Sequence, residues 1–158
     1  MDSFSIILVV VLLILVILSA FFSGSETSIM ALNQIKLDNA EKQGNKSAKI
    51  INSLRKEINR VLGVILIGNN LVNISASALL TFFVIKKFGD EYVWIGTLLL
   101  TIFIIIFAEI APKSFAAKRP ESIAYPASRI LKVLTKYLGS FSEILTNISN
   151  SLTGIKNN

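Results

Sequence analysis

VLGVILIGNNLVNISASALLTFFVI, Val61–Ile85, runs 25 residues without a charge. A bilayer core is about 30 Å thick and takes about 20 helical residues to cross, so this stretch reads as a membrane helix. Two others accompany it. Phe4–Phe22 is 19 residues without a charge, and Tyr92–Ala108 is 17. The last is short by itself and gains length from Glu91 and from the turn that carries Glu109. The whole chain has 158 residues, 53% of them hydrophobic, with a mean hydropathy of +0.65. It has the size of one domain and is too apolar for an ordinary soluble one.

The expected fold is an all-α membrane protein of three transmembrane helices with cytoplasmic juxtamembrane amphipathic helices. The membrane domain is placed at 1–152, with helices at about 4–30, 61–85 and 91–109. A cytoplasmic helical segment fills 31–60, juxtamembrane helices fill about 113–152, and 153–158 is the end of a linker. The first segment is read as retained. A signal peptide needs a basic start and a small-residue cleavage site, whereas this chain begins Met-Asp-Ser and its apolar core ends Ala20-Phe21-Phe22.

Charge sets the expected orientation. Lys36, Lys42, Lys46, Lys49, Arg55, Lys56 and Arg60 lie between the first and second apolar segments. Lys113, Lys118, Arg119, Arg129, Lys132, Lys136 and Lys156 follow the third. The hairpin between the second and third carries Lys86 and Lys87 beside Asp90 and Glu91. The positive-inside rule then puts the N-terminus outside and the C-terminus in the cytoplasm of a cell-membrane protein. The net charge of +6 faces anionic headgroups rather than nucleic acid. With no cysteine and no histidine, disulfides, thiolate sites and imidazole chemistry are excluded. No nucleophile–base pair points to an enzyme.

The 31–60 segment shows partial helical periodicity in Ile35, Leu37, Ile50, Ile51, Leu54 and Ile58, broken near Gln43-Gly44-Asn45. After Pro120, apolar residues from Ile130 to Ile148 recur at three- and four-residue steps. They predict one amphipathic helix or a pair, with a kink near Gly139, either along the membrane interface or against a partner helix.

Polar residues inside the apolar segments raise the functional question. In a helix Asn69, Asn73 and Ser77 share a face, with Asn70 at its border. A buried amide without a partner costs roughly 2–7 kcal/mol. These groups therefore face protein or a wet cavity. Either they are interhelical glue, worth about 0.6 kcal/mol each, or their oxygens hold a ligand. Ser23-Gly24-Ser25, followed by Glu26, ends the first apolar run. It either marks an ordinary helix exit or loosens the helical ladder and frees carbonyls. Glu109 directly follows Ile102–Ala108. Carboxylates at such depth mark ion or substrate sites, although snorkelling to the interface or an ion pair with Lys113 is open to it. Pro112 disfavours a helical Ala111 and removes a donor. Carboxylate, amide and hydroxyl oxygens, one cluster per helix, suit hard cations such as Mg²⁺, Ca²⁺ or Na⁺.

Phe21–Thr27 (FFSGSET), Ile67–Ser77 (IGNNLVNISAS) and Ala108–Lys113 (AEIAPK), in that order, resemble the transmembrane domain of the CNNM/CorC magnesium transporters. The resemblance spans about 20–120. It implies a homodimer, Na⁺-coupled Mg²⁺ transport in the direction of efflux, and a cytosolic CBS pair downstream. By position it implies a Mg²⁺ site at Ser23, Gly24, Asn69, Asn73 and Glu109. Ser25, Glu26, Asn70, Ser77, Pro112 and Lys113 would support it, with Glu26 a contributor to Na⁺ coupling or packing. The family often has glycine where this chain has Ala108. The alternative is a non-transporting membrane anchor, a dimerisation scaffold or a Mg²⁺ sensor for a cytosolic regulatory domain.

Overall fold

A computed structural model describes residues 3–153, and these are almost entirely helical. α1 is Ser3–Ala31, α2 Gln34–Lys42, α3 Lys46–Lys56 and α4 Ile58–Phe88. A short 3₁₀ turn, Asp90–Tyr92, leads into α5, Val93–Ile104. A π-helical turn, Ile105–Ile110, joins α5 to α6, Ala111–Lys118, and α7 is Pro120–Thr153. Three rods are long and apolar enough to cross a membrane: Ser3–Ala31, Ile58–Phe88 and Asp90–Lys118. A 29-residue rod spans about 43 Å at the helical rise of about 1.5 Å per residue.

The burial pattern is that of a membrane protein. Ile6, Ile7, Val10, Leu13, Ile14 and Ile17 stand exposed along α1, and α5 has no buried residue. In water such surfaces would collapse together. In lipid they are already solvated, and close packing and interhelical hydrogen bonds hold the helices instead. The densest packing lies where α1 ends and α4 begins. Phe22, Ile29, Leu54, Val61, Ile65, Val72, Ala127 and Leu131 form one buried cluster there. Leu32, Leu37, Ala48, Ile51 and Ala124 form a second under the α2–α3 hairpin.

Local chemistry shapes the hairpin. Asn33 caps α2, its side chain accepting from Lys36 N–H at 3.1 Å. Asn45 caps α3, accepting from Ala48 N–H at 3.1 Å. The two helices separate at Gly44, whose φ of 86° is left-handed and open to glycine without steric cost. Arg55 then fastens the hairpin to α1. Its guanidinium donates to the Ile29 carbonyl at 2.7 Å and the Leu32 carbonyl at 2.9 Å. Those carbonyls belong to the unsatisfied end of α1. A third donor reaches Gln34 Oε1 at 2.6 Å.

Two open alternatives are decided and one expectation, at Pro112, is corrected. α1 runs unbroken through Ser23-Gly24-Ser25. The ladder stays closed there because Gly24 packs tightly. A Cβ on it would lie 3.3 Å from Ile123 Cδ1 and 3.6 Å from Pro112 Cβ. Pro112 does not end the third rod. Ala111 is helical (φ −64°, ψ −48°) and the chain continues to Lys118. A proline ring clashes with the carbonyl four residues earlier, and the π turn widens the helix at that place. Finally, the segment after Pro120 is one helix passing straight through Gly139, with Pro126 inside its second turn.

Candidate cation site

α1 is the hub of the site, packing against α4, the π turn, α6 and α7. It carries an unusual number of buried serines: Ser19 and Ser23 on one side, and Ser25 and Ser28 on the other. Two are accounted for. Ser19 Oγ donates to Asn69 Oδ1 across the α1–α4 contact at 2.9 Å. Ser28 Oγ donates to the Ser25 carbonyl at 3.0 Å. Ser23 Oγ and Ser25 Oγ are enclosed and have no partner, and neither does Asn73 Oδ1 on α4. Buried polar atoms are almost always satisfied, so three orphans on two touching helices call for an explanation.

Close approach of these helices depends on Gly68. It faces the ring of Phe22, and an added Cβ would fall 2.4 Å from Phe22 Cζ. No side chain fits between α4 and that ring. Gly68 therefore fixes the spacing at the turn that carries Asn69 and, one turn on, Asn73.

Glu109 lies in the π turn, where the Ala111 N–H bonds to the Ile106 carbonyl, five residues back. Such turns occur mostly as single insertions and often at functional sites. Ala108 is fully buried and Glu109 half-buried. The π turn packs on α1, and Pro112 just beyond it touches the Gly24 side of α1. The structure thus places the asparagines and Glu109 on neighbours of one shared helix, the stretch of α1 around Ser23.

The remaining residues divide. Glu26 pairs with Lys113 at 3.6 Å, both side chains nearly half exposed. Lys113 is therefore the partner of Glu26 and not of Glu109, for which the described residues provide no ion pair. Asn70 is exposed. Ser77 lies on an outward groove of α4 with Ile74, Thr81 and Phe82, and its carbonyl accepts from Thr81 Oγ1 at 2.9 Å. Neither Asn70 nor Ser77 joins the enclosed cluster. Ser19, by contrast, belongs to it and carried no signal in the sequence beyond being a serine four residues before Ser23.

Chemically the arrangement offers neutral oxygens and one carboxylate. Among the described residues no group of three or more Asp, Glu, His or Cys side chains could hold a metal. Hydroxyl, amide and carboxylate oxygens are the ligands that Mg²⁺ and Ca²⁺ accept.

Comparison with known proteins gives a consistent picture. Residues 10–158 match the family described as the cyclin M transmembrane N-terminal domain. The UPF0053 inner membrane protein YfjD of Escherichia coli K12 is 44% identical over 142 residues, 88% of this chain and 33% of that protein. A UPF0053 protein of Haemophilus influenzae is 41% identical over 148 residues, 94% of this chain and 35% of its own. A chloroplastic DUF21 domain-containing protein of Arabidopsis thaliana is 35% identical over 139 residues, covering 87% of this chain and 21% of that one. The chain spans about a third of the length of the two bacterial relatives.

Proposed function

The chain belongs to the cyclin M (CNNM) transmembrane-domain family, and from that footing we propose that it carries a divalent cation across the membrane, Mg²⁺ leaving the cell in exchange for Na⁺. The observation that carries the proposal is the pair of enclosed, unpartnered oxygens Ser23 Oγ and Asn73 Oδ1 on touching helices, together with Glu109, which has no ion pair among the described residues and sits on a π turn that also packs on α1. Without a ligand each of the two oxygens is a buried polar atom with its hydrogen-bonding capacity unused. A hard cation uses it.

In this reading Glu109 supplies the charge that draws Mg²⁺ out of water. Asn73 and Ser23 replace part of its hydration, and Ser19 holds Asn69 in place through their hydrogen bond. Mg²⁺ dehydrates reluctantly and demands near-octahedral ligands, so the site keeps several of its waters. Gly68 and the π turn set the spacing, and movement of α1 against α4 exchanges access between the two sides. The outward apolar faces of α4, α5 and α7 suit a homodimer in a bilayer. The basic residues suit a cytoplasmic C-terminus, and the greater length of the relatives suits a cytosolic CBS pair downstream.

A second reading is favoured by one bond. Ser19–Asn69 is interhelical glue of the ordinary kind, and a scaffold for a cytosolic sensor needs nothing more. Flux decides between them. Proteoliposomes loaded with Mg²⁺ and given an inward Na⁺ gradient lose Mg²⁺ under the transport reading, and Glu109→Gln stops the loss. Vesicles with wild-type protein that leak no faster than empty ones return the chain to the scaffold reading.

A further inference from the structure

Away from the cation site, a second polar cavity of about 160 Å³ opens between the start of α4 and the middle of α7. That is the volume of about five waters in the liquid. Arg60, Lys132, Lys136 and Thr135 line it, with one carboxylate, Glu57. Three features meet there. Lys132 and Lys136 are exposed and one turn apart on α7, and both side chains line the cavity. Glu57 is the N-cap of α4, and its side chain makes no capping bond. Glu57 also closes α3, so the start of α4 abuts the carbonyl end of that helix. Thr135 is only 6% exposed, and its hydroxyl is enclosed without a partner. A helical threonine ordinarily bonds back to a carbonyl of the preceding turn.

Arg60 is already committed. Its Nη1 pairs with Glu57 at 3.2 Å, and its Nε lies 3.4 Å from Glu143 in an ion pair that lacks hydrogen-bond alignment. Gly139 makes room for the guanidinium, since a Cβ there would lie 2.1 Å from Arg60 Nε. The two carboxylates hold Arg60, and with Lys132 and Lys136 counted the five groups leave one net positive charge at the cavity. Two lysines and an unsatisfied hydroxyl around a space of this size match a tetrahedral oxyanion. The space is too small to enclose a nucleoside.

We propose that this cavity is a phosphate-binding site, tying the start of α4 to α7 through a phosphate group supplied by an anionic lipid headgroup or by free phosphate. The inference does not depend on cation transport, and its readout is separate. Thermal unfolding of the detergent-purified chain is followed while inorganic phosphate or short-chain phosphatidylglycerol is titrated in. One or both raise the unfolding midpoint of the wild type. Lipid alone acting identifies the headgroup, and inorganic phosphate acting alone identifies the free anion. Lys132→Gln with Lys136→Gln weakens the effective ligand about tenfold or more, by loss of charged hydrogen bonds. Thr135→Val weakens it while leaving the ligand-free midpoint unchanged or higher, so misfolding does not explain the loss. Glu57→Gln, which removes the one lining carboxylate, strengthens binding. If neither ligand shifts the wild type, or if all variants shift as the wild type does, the proposal is overturned.

Discussion

Asn69 and Asn73 lie one turn apart on α4, and replacing each by leucine has opposite consequences for stability. Asn69 Oδ1 accepts from Ser19 Oγ at 2.9 Å. Asn69→Leu breaks that bond and costs about 0.5–1.5 kcal/mol. Asn73 Oδ1 is enclosed with no partner, so the cation-free fold already bears the desolvation of an unused acceptor. Leucine has a similar volume and no such atom. Asn73→Leu therefore stabilises the cation-free protein by about 1–3 kcal/mol. With about 2–4 °C per kcal/mol for a chain of this size, the two midpoints separate by at least about 3 °C, Asn73→Leu above the wild type and Asn69→Leu below. Mg²⁺ adds the second half of the prediction. At ten times its dissociation constant a ligand stabilises the wild type by about 1.4 kcal/mol, and Asn73→Leu gains nothing. The assay is thermal unfolding in detergent, with and without Mg²⁺. The reasoning is refuted if Asn73→Leu is destabilised like Asn69→Leu and still responds to Mg²⁺, because Asn73 is then glue.

Other perturbations test the surroundings. Gly68→Ala drives a Cβ into the Phe22 ring. Overpacking of about 1–3 kcal/mol outweighs the helix-propensity gain of about 1 kcal/mol, so the midpoint falls; a more stable variant would show that the helices have room to spare. Arg55→Lys keeps the charge but loses the fork on the Ile29 and Leu32 carbonyls. It costs on the order of 2 kcal/mol, seen as faster hydrogen exchange in α2 and α3. Glu26→Gln breaks an ion pair that is nearly half exposed, worth less than about 1 kcal/mol. It leaves Mg²⁺ affinity unchanged, and a large loss would move Glu26 into the site.

The parts of this architecture that follow simple rules were legible in the sequence. Long charge-free runs such as Val61–Ile85 have one stable form in lipid, because only a helix satisfies its own backbone there. Gln43-Gly44-Asn45 signalled a helix break by the chemistry of glycine and of the asparagine cap. The polar residues worth attention were also legible, since polarity in an apolar run is costly wherever it occurs. What stayed hidden depends on partners distant in sequence. Nothing local shows that Asn69 meets Ser19, fifty residues away, or that Gly24 packs against Pro112 and Ile123 and so keeps α1 intact. The π turn was the most consequential omission. Pro112 signalled disruption, but whether the helix ends or widens is decided by packing on α1. Nor does local spacing show that Lys113 reaches across to Glu26 on α1 rather than to Glu109. Arg60, Thr135 and Lys132 gave no joint signal, because α4 and α7 come together only in the fold.

The central claim is that Glu109 supplies the charge of a cation site assembled around α1. Titration calorimetry of Mg²⁺ into the detergent-purified chain, wild type beside Glu109→Ala, tests it most directly. The account predicts binding heat for the wild type alone, with both proteins equally folded. Equal heats from the two proteins, or none from the wild type at millimolar Mg²⁺, would contradict it.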